Sequence, residues 1–334
     1  MAARKHIVPI FLPHWGCPYQ CVYCDQTVIA AQEGLLEIGG LLADALEKVP
    51  PSAYPVEVAF YGGTFTALPL KTQALLLDQV QDFIALGQVG SIRLSTHPAC
   101  LEEKSLELLA QKGVNTVELG VQSLQPEVLK LSGRDYSPGT VAKAVTLLRR
   151  YGFKVGIQLM PGLPGDSLEK TLDTVKKVIG LAPDFVRVYP TLVINHTPLA
   201  EIWRNGQYTA LTLEEGIEWC KEISKLFYDV HIPIIRMGLH ATPELEAQVL
   251  AGPYHPAFKA LVDSALALEK IAALITNPGG ELVIYCNPRD VSRVRGDKNM
   301  NISKLMQGFG FSNVRVVADP EMAMQEYKVE PGNK

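Results

Sequence analysis

The sequence predicts an α/β fold: a partial TIM-type barrel of the (β/α)6 kind followed by a small C-terminal α/β appendage. Two observations carry this prediction. From His6 to about Gly238, short β-rich runs alternate with amphipathic helical segments, which is typical of parallel strands joined by right-handed crossovers. The unusual residues also follow the ends of the predicted strands, where barrels of this class place their chemistry. A doubly wound open sheet is the alternative that this alternation leaves open.

Seven β-rich runs are predicted as barrel strands, and the last of them has the weakest pattern. They are His6 to Leu12, Val56 to Tyr61, Ser91 to Thr96, Thr116 to Val121, Lys154 to Met160, Asp184 to Tyr189 and Ile232 to Met237. The helices between them have recognisable ends. Ser137-Pro138 begins one, with proline at the first helical position. Asp166 or Ser167 caps the next, and Thr212 to Glu215 has the spacing of a capping box.

Residues 1–240 are predicted as the barrel domain and residues 241–334 as a C-terminal extension. After Gly238 the alternation loosens, and the extension holds a helix from about Pro256 to Leu274 and strands at Glu281 to Tyr285 and Val314 to Val317. A basic stretch lies between those strands. Its cations, with Tyr285 nearby, either contact phosphates or form a solvated loop: Arg289, Arg293, Arg295, Lys298 and Lys304.

Composition and charge exclude few functions. The formal net charge of −4 gives no overall bias toward nucleic acid, although a local basic patch stays compatible with it. The first residues lack the apolar core of a secretory signal, and no run approaches the roughly 18 apolar residues of a membrane span. We therefore expect a cytoplasmic protein without a membrane partner; the oligomeric state is left open.

Three of the six cysteines are grouped as C-x3-C-x2-C directly after the first predicted strand: Cys17, Cys21 and Cys24. The others are scattered, and we expect them to be buried thiols: Cys100, Cys220 and Cys286. In a reducing compartment such a group indicates metal rather than disulfides. A four-iron cluster usually takes four thiolates. Three ligands would therefore leave one iron free to bind a reactant.

A structural zinc site is the alternative interpretation of the same loop. His14 lies three residues before Cys17 and would complete a Cys3His set, which zinc accepts with no open position. The protein would then be a non-catalytic zinc-binding module. Tyr23, just before the last cysteine, favours the iron–sulfur interpretation.

The C-x3-C-x2-C spacing with an aromatic residue before the last cysteine resembles the radical S-adenosylmethionine (radical SAM) superfamily over roughly residues 6–240. Within it the chain is most similar to the radical SAM domain of the elongator catalytic subunit, and more distantly to oxygen-independent coproporphyrinogen oxidase. Nothing after residue 240 resembles the acetyltransferase domain of the elongator subunit. The likeness to that subunit rests on five segments: Tyr61 to Pro69, Glu118 to Ser123, Gly152 to Val155, Leu159 to Gly165 and Val188 to Val193.

The resemblance implies a [4Fe-4S] cluster on the three grouped cysteines and S-adenosylmethionine (SAM) on its fourth iron. It also implies a set of cofactor-binding residues on the same rim: Tyr23, Gly62, Gly63, Thr64, Ser95, Gln122, Arg134 and Gln158. Ser95 departs from the relatives, which carry a glutamate there. His97 nearby either faces the active site or is structural. Glu118 is expected to point into the barrel, because a carboxylate facing the helices would need a buried partner.

The predicted function is therefore that of a radical SAM enzyme that cleaves SAM reductively and abstracts a hydrogen atom from its substrate. The elongator likeness suggests modification of a tRNA base; a small molecule such as a tetrapyrrole is the other substrate class left open. The resemblance also implies a reductant protein such as flavodoxin or ferredoxin. No individual residue is assigned to the hydrogen-abstraction step.

Overall fold

The computed structural model of the chain describes residues 6–12, 14–25, 37–134 and 136–332. Its central feature is a sheet of seven parallel strands in the order β1-β2-β3-β4-β5-β6-β8. All seven predicted strands are present, with ends that shift by at most two residues. They are β1 (Ile7–Phe11), β2 (Val56–Tyr61), β3 (Val89–Thr96), β4 (Val114–Gln122), β5 (Lys154–Leu159), β6 (Phe185–Val188) and β8 (Ile234–Met237).

The strand order decides between the two predicted architectures. Each strand pairs with the next strand of the same sheet along the chain, so the order never reverses as it would in a doubly wound sheet. The sheet is also curled. Arg187 on β6 donates to the Tyr61 hydroxyl on β2 at 2.6 Å, although these strands lie four spacings of nearly 5 Å apart along the sheet. The doubly wound alternative is therefore wrong, and the fold is a half-barrel.

The helices pack on the outer face of this sheet and enclose the main hydrophobic core with it. The predicted caps are confirmed at Ser137, at Ser167 and at Thr212, where the capping box with Glu215 forms. The helices of this part are α1 (Ile38–Glu47), α2 (Leu70–Ala85), α3 (Glu103–Gln111), α4 (Pro126–Leu131), α5 (Pro138–Arg150), α6 (Leu168–Gly180), α7 (Pro198–Arg204), α8 (Leu213–Asp229) and α9 (Pro243–Gln248). None of the helices in the described part of the chain has the length and apolarity to cross a membrane.

The C-terminal part is a three-stranded sheet in the order β11-β10-β12 with its own small core. Its elements are α10 (Phe258–Leu274), β10 (Gly280–Cys286), α11 (Val291–Arg295), α12 (Met300–Phe309), β11 (Phe311–Ala318) and β12 (Tyr327–Pro331). The sequence prediction missed β12. It also missed a two-stranded pairing of β7 (Val193–Ile194) with β9 (Val249–Ala251). Strands of two or three residues are too short to show the alternation of apolar and polar residues that predicts a strand.

Helix α10 belongs to both cores. Phe258, Val262 and Leu266 in its first half pack into the barrel core, whereas Ile271 in its last turn packs into the core of the appendage. The division at residue 240 stays a prediction, but the packing joins the start of the extension to the barrel.

Candidate iron–sulfur and cofactor site

The cysteine loop follows β1 at the C-terminal rim of the half-barrel. Cys17 is exposed, Cys24 is half-buried and Cys21 is buried. Two main-chain hydrogen bonds tie the loop to the end of β2. The Thr64 amide donates to the Trp15 carbonyl at 2.8 Å, and the His14 amide donates to the Gly62 carbonyl at 2.8 Å. The loop therefore has a fixed position on the rim.

The predicted Gly62-Gly63-Thr64 segment lies directly against this loop. A Cβ atom on Gly63 would stand 2.5 Å from the Trp15 carbonyl oxygen, so only glycine allows the two backbones to approach this closely. The Thr64 hydroxyl lies 3.3 Å from the Cys17 sulfur. These contacts give the glycine pair a role in seating the cysteine loop, and its predicted contact with the cofactor stays a prediction.

Arg134 reaches the cysteine loop from the turn after α4. Its Nη1 donates to the Cys21 sulfur at 3.3 Å and to the Tyr23 hydroxyl at 3.2 Å, and its Nη2 donates to the Gly120 carbonyl. The Arg134 residue is 5% exposed, and its Nε has no partner within the described ranges. A permanent positive charge with one unused donor thus lies beside a cysteine sulfur.

This surrounding separates the pKa values of two of the thiols. A hydrogen bond from Cys24, together with the positive charge of Arg134, lowers the pKa of Cys21 to about 5 despite burial. The same hydrogen bond and burial raise the pKa of Cys24. Metal binding needs thiolates and releases their protons, and the positive charge of Arg134 favours the ionised form of Cys21 that a cluster would bind.

The zinc alternative needs the side chains of His14 and the three cysteines around one ion. Across the described parts of the chain, no group of three or more His, Cys, Asp or Glu side chains converges closely enough to hold one metal ion. The His14 backbone is bonded to Gly62. A closed Cys3His site, which needs its four ligands around a single ion, is therefore not formed by His14 and the three cysteines.

The remaining predicted cofactor residues lie at the ends of β3, β4 and β5. The Gln158 amide donates to the Gln122 side-chain oxygen at 3.2 Å, so these two side chains are brought together. Gln122 has a backbone φ of 69°, which turns the chain sharply at the end of β4. The Ser95 hydroxyl donates to the Phe60 carbonyl at 3.4 Å.

Below the rim, the inside of the half-barrel carries a charged network. Glu118 accepts hydrogen bonds from Arg93 at 2.9 Å, from Arg187 at 2.5 Å and from Tyr61 at 3.0 Å. Glu57 accepts from Arg93 at 2.6 Å. Glu118 thus points inward as predicted, and two carboxylates balance two guanidinium groups.

Comparison with known proteins identifies the family of the chain. The sequence family described as the radical SAM superfamily matches residues 13–178, and the radical SAM C-terminal domain matches residues 183–267. The chain belongs to the radical SAM superfamily. The predicted family and the predicted enzyme class are thereby confirmed.

Two curated relatives and one solved structure illustrate the likeness. A tRNA uridine(34) acetyltransferase of Methanocaldococcus infernus is 33% identical over 195 residues, covering 52% of this chain and 36% of the relative. Elongator complex protein 3 of Homo sapiens is 25% identical over 226 residues, covering 59% of this chain and 41% of the relative. The chain thus spans well under two thirds of their length. The structure of Elp3 from M. infernus with residues 1–46 deleted has a TM-score of 0.64 at 24% identity, covering 80% of this chain and 63% of that one.

The radical SAM site fits the group that its family implies. Three thiols suit an iron–sulfur cluster, and a guanidinium next to them suits both thiolate sulfur and a carboxylate. The unpartnered Nε of Arg134 is a buried donor without an acceptor. Buried donors are normally paired in native proteins, so Arg134 has an N–H to offer to a bound group.

Sequence reasoning missed most of the charged network inside the half-barrel. It named Glu118 but not Glu57, Arg93 or Arg187. Each of these lies inside a strand between two apolar residues, as in Val56-Glu57-Val58, Ile92-Arg93-Leu94 and Val186-Arg187-Val188. A charge enclosed in this way in several parallel strands is the signal that indicates a polar barrel interior.

Proposed function

We propose that this protein uses a [4Fe-4S] cluster on Cys17, Cys21 and Cys24 to cleave SAM reductively and to abstract a hydrogen atom from a base in tRNA. The observation that supports it most is the three-cysteine loop with Arg134 bonded to one of its sulfurs. The names of the relatives, which are proteins of tRNA uridine 34 and of elongator, support the tRNA substrate.

The bound cluster and SAM supply the chemistry, namely a 5'-deoxyadenosyl radical from one-electron cleavage of SAM. The protein's own residues bind and orient. In the proposal, the Arg134 guanidinium stabilises the negative charge beside Cys21. The Thr64 hydroxyl positions the Cys17 sulfur. The rest of the predicted set surrounds SAM: Tyr23, Gly62, Gly63, Ser95, Gln122 and Gln158.

A reductant protein such as flavodoxin or ferredoxin would deliver the electron from the side of Cys17. Cys17 is the exposed member of the three cysteines, whereas Cys21 is buried beneath Arg134. Electron delivery needs close approach, and only the exposed edge of the loop offers it. The chain matches only 36% and 41% of the length of these two relatives. We therefore propose the radical step and no later step of their reactions.

Formation of 5'-deoxyadenosine tests the proposed reaction. Anaerobically reconstituted protein, mixed with SAM and a chemical reductant, is expected to form 5'-deoxyadenosine, and added tRNA is expected to raise the rate. Product is measured by mass spectrometry. The control is the Cys21→Ala variant under the same conditions, which should form none.

Two outcomes would contradict the proposal in different ways. Absence of 5'-deoxyadenosine from iron-loaded protein would contradict radical SAM cleavage. If a small-molecule fraction of a cell extract raises the rate of 5'-deoxyadenosine formation and tRNA does not, SAM cleavage is supported. The substrate is then a small molecule instead of tRNA.

The exposed cations of the appendage are the proposed contact with tRNA phosphates. Arg293 does not belong to them, because it is bonded to the buried Asp290 and lies 3.5 Å from Asp263. That part of the predicted basic patch is structural. Four of its cations are exposed: Arg289, Arg295, Lys298 and Lys304.

Replacing these four cations by glutamine is expected to weaken tRNA binding and its dependence on salt. Each lost phosphate contact lowers the slope of log K against log salt by about 0.7–0.9, so four contacts predict a reduction of about 3. Binding is measured by filter retention between low and moderate salt. The matched control replaces four exposed lysines of the outer barrel helices: Lys71, Lys104, Lys143 and Lys176. An equal change in both variants would exclude a specific contact at the appendage.

A further inference from the structure

His97 connects the end of β3 to the cysteine loop through its ring. The imidazole stacks on Tyr19 with ring centroids 4.4 Å apart and meets the edge of Tyr136 at 4.9 Å. Tyr19 lies inside the loop, between Cys17 and Cys21. His97 itself is 4% exposed. A change at His97 is therefore transmitted directly to the segment that carries the cysteines.

One ring nitrogen of His97 is used and the other is not. The Nδ1 atom accepts a hydrogen bond from the Ala99 amide at 3.1 Å. In a neutral imidazole that accepts at Nδ1, the proton sits on Nε2. Burial and the nearby charge of Arg134 lower the pKa of His97 to about 3, so the ring is neutral at physiological pH. The Nε2 atom is buried and has no partner among the described residues.

A second unused donor lies in the same surroundings. The Arg134 Nε is also buried without a partner, and the Arg134 guanidinium lies 5.5 Å from the centre of the Tyr136 ring. His97 and Arg134 thus pack on one tyrosine, border one loop, and each present a buried N–H with no acceptor. Buried donors are almost always paired in native proteins. Two such donors close together, without an acceptor among the described residues, point to an acceptor on a bound group.

We propose that the Nε2–H of His97 donates a hydrogen bond to an anionic acceptor of the bound cofactors, either a sulfur of the cluster or the carboxylate of SAM. The inference rests on the proposed function, because both acceptors belong to it. The imidazole ring packs on Tyr19 of the cysteine loop. The Nε2–H would donate its hydrogen bond to the cofactor. A hydrogen bond to a cluster sulfur raises its reduction potential, and one to the carboxylate strengthens SAM binding.

Two variants separate the donor from the ring. His97→Phe keeps an aromatic ring between Tyr19 and Tyr136 but has no donor. His97→Gln loses the ring but places an amide N–H near the position of Nε2. Iron content is determined first. The midpoint potential of the cluster without SAM is then measured by spectroscopically monitored redox titration, and SAM affinity by equilibrium dialysis.

For a sulfur acceptor, His97→Phe is expected to shift the reduction equilibrium about tenfold, which for one electron is about 59 mV toward negative potential. For the SAM carboxylate, the potential stays constant and the dissociation constant rises about tenfold. His97→Gln should recover most of either change. Loss of the cluster from His97→Phe, together with its retention in His97→Gln, also supports the donor role.

The inference is overturned if His97→Phe matches the wild type in both measurements, because the ring alone then suffices. It is also overturned if both variants lose the cluster equally, because restoring a donor in His97→Gln then recovers nothing. Wild-type protein that takes up no cluster would instead contradict the proposed function and the inference together. The two failures are therefore distinguishable by the wild-type iron content.

Discussion

Alanine at Cys17, Cys21 or Cys24 is expected to abolish cluster binding in each of the three variants. A [4Fe-4S] cluster is held by thiolates, and this loop supplies only three. Loss of one leaves two thiolates, which are too few to hold the cluster. Iron should fall from about four per chain to near zero, and formation of 5'-deoxyadenosine should fall with it. Iron and sulfide analysis after anaerobic reconstitution measures the effect.

Cys220→Ala is the matched control for this prediction. It also removes one thiol, but Cys220 lies on α8 in the main core and is fully buried. We expect it to keep the iron content of the wild type. Cluster content that survives in Cys24→Ala and disappears in Cys220→Ala would assign the ligands elsewhere. One tightly bound zinc per chain after iron–sulfur reconstitution would revive the zinc interpretation.

Replacement of Glu118 by glutamine is expected to destabilise the barrel by about 3–5 kcal/mol, the usual cost of leaving a buried partner charge uncompensated. Glu118 is the carboxylate that pairs with Arg187, whose side chain is 13% exposed. Arg93 keeps its second carboxylate, Glu57, and is affected less. The shape of the side chain is nearly unchanged, so the loss is electrostatic. Urea denaturation measures the free energy of unfolding.

Glu218→Gln provides the comparison at the surface. Glu218 pairs with Lys221 at 2.8 Å, but its side chain is 55% exposed. Exposed pairs of this kind contribute about 0.2–1 kcal/mol. If both glutamine variants lose the same small amount, the interior network is not the source of stability that its geometry indicates. A double variant that also replaces Arg187 by methionine should recover part of the loss, because the unpaired charge is then gone.

The repeating part of the fold was predictable because its signal is local. Strand and helix periods, proline at helix starts and the capping box at Thr212 are all written in short segments. The cysteine loop was predictable for the same reason. Strand β12 was missed because it has only five residues and ends in a proline, which weakens a strand prediction. Its Tyr327 and Val329 nevertheless pack against the small core.

The contacts within the site could not be predicted, because they join distant segments. Arg134 was expected near the cofactor, but its bond to Cys21 spans more than a hundred residues of sequence. The role of Gly63 in seating the cysteine loop depends on where Trp15 lies. The stacking of His97 on Tyr19 likewise depends on the closure of the rim. Sequence patterns report which residues are unusual, and folding decides which of them meet.

Helix α10 sets where segments could be exchanged between related chains during evolution. A crossover placed before Phe258 would leave a barrel without three apolar side chains that complete its core, each contributing about 1.5–3 kcal/mol when buried. A crossover after Leu274 keeps those side chains with the barrel and separates only the small sheet that follows. A crossover after α10 is therefore expected to preserve the barrel core, whereas one before Phe258 is expected to destabilise it.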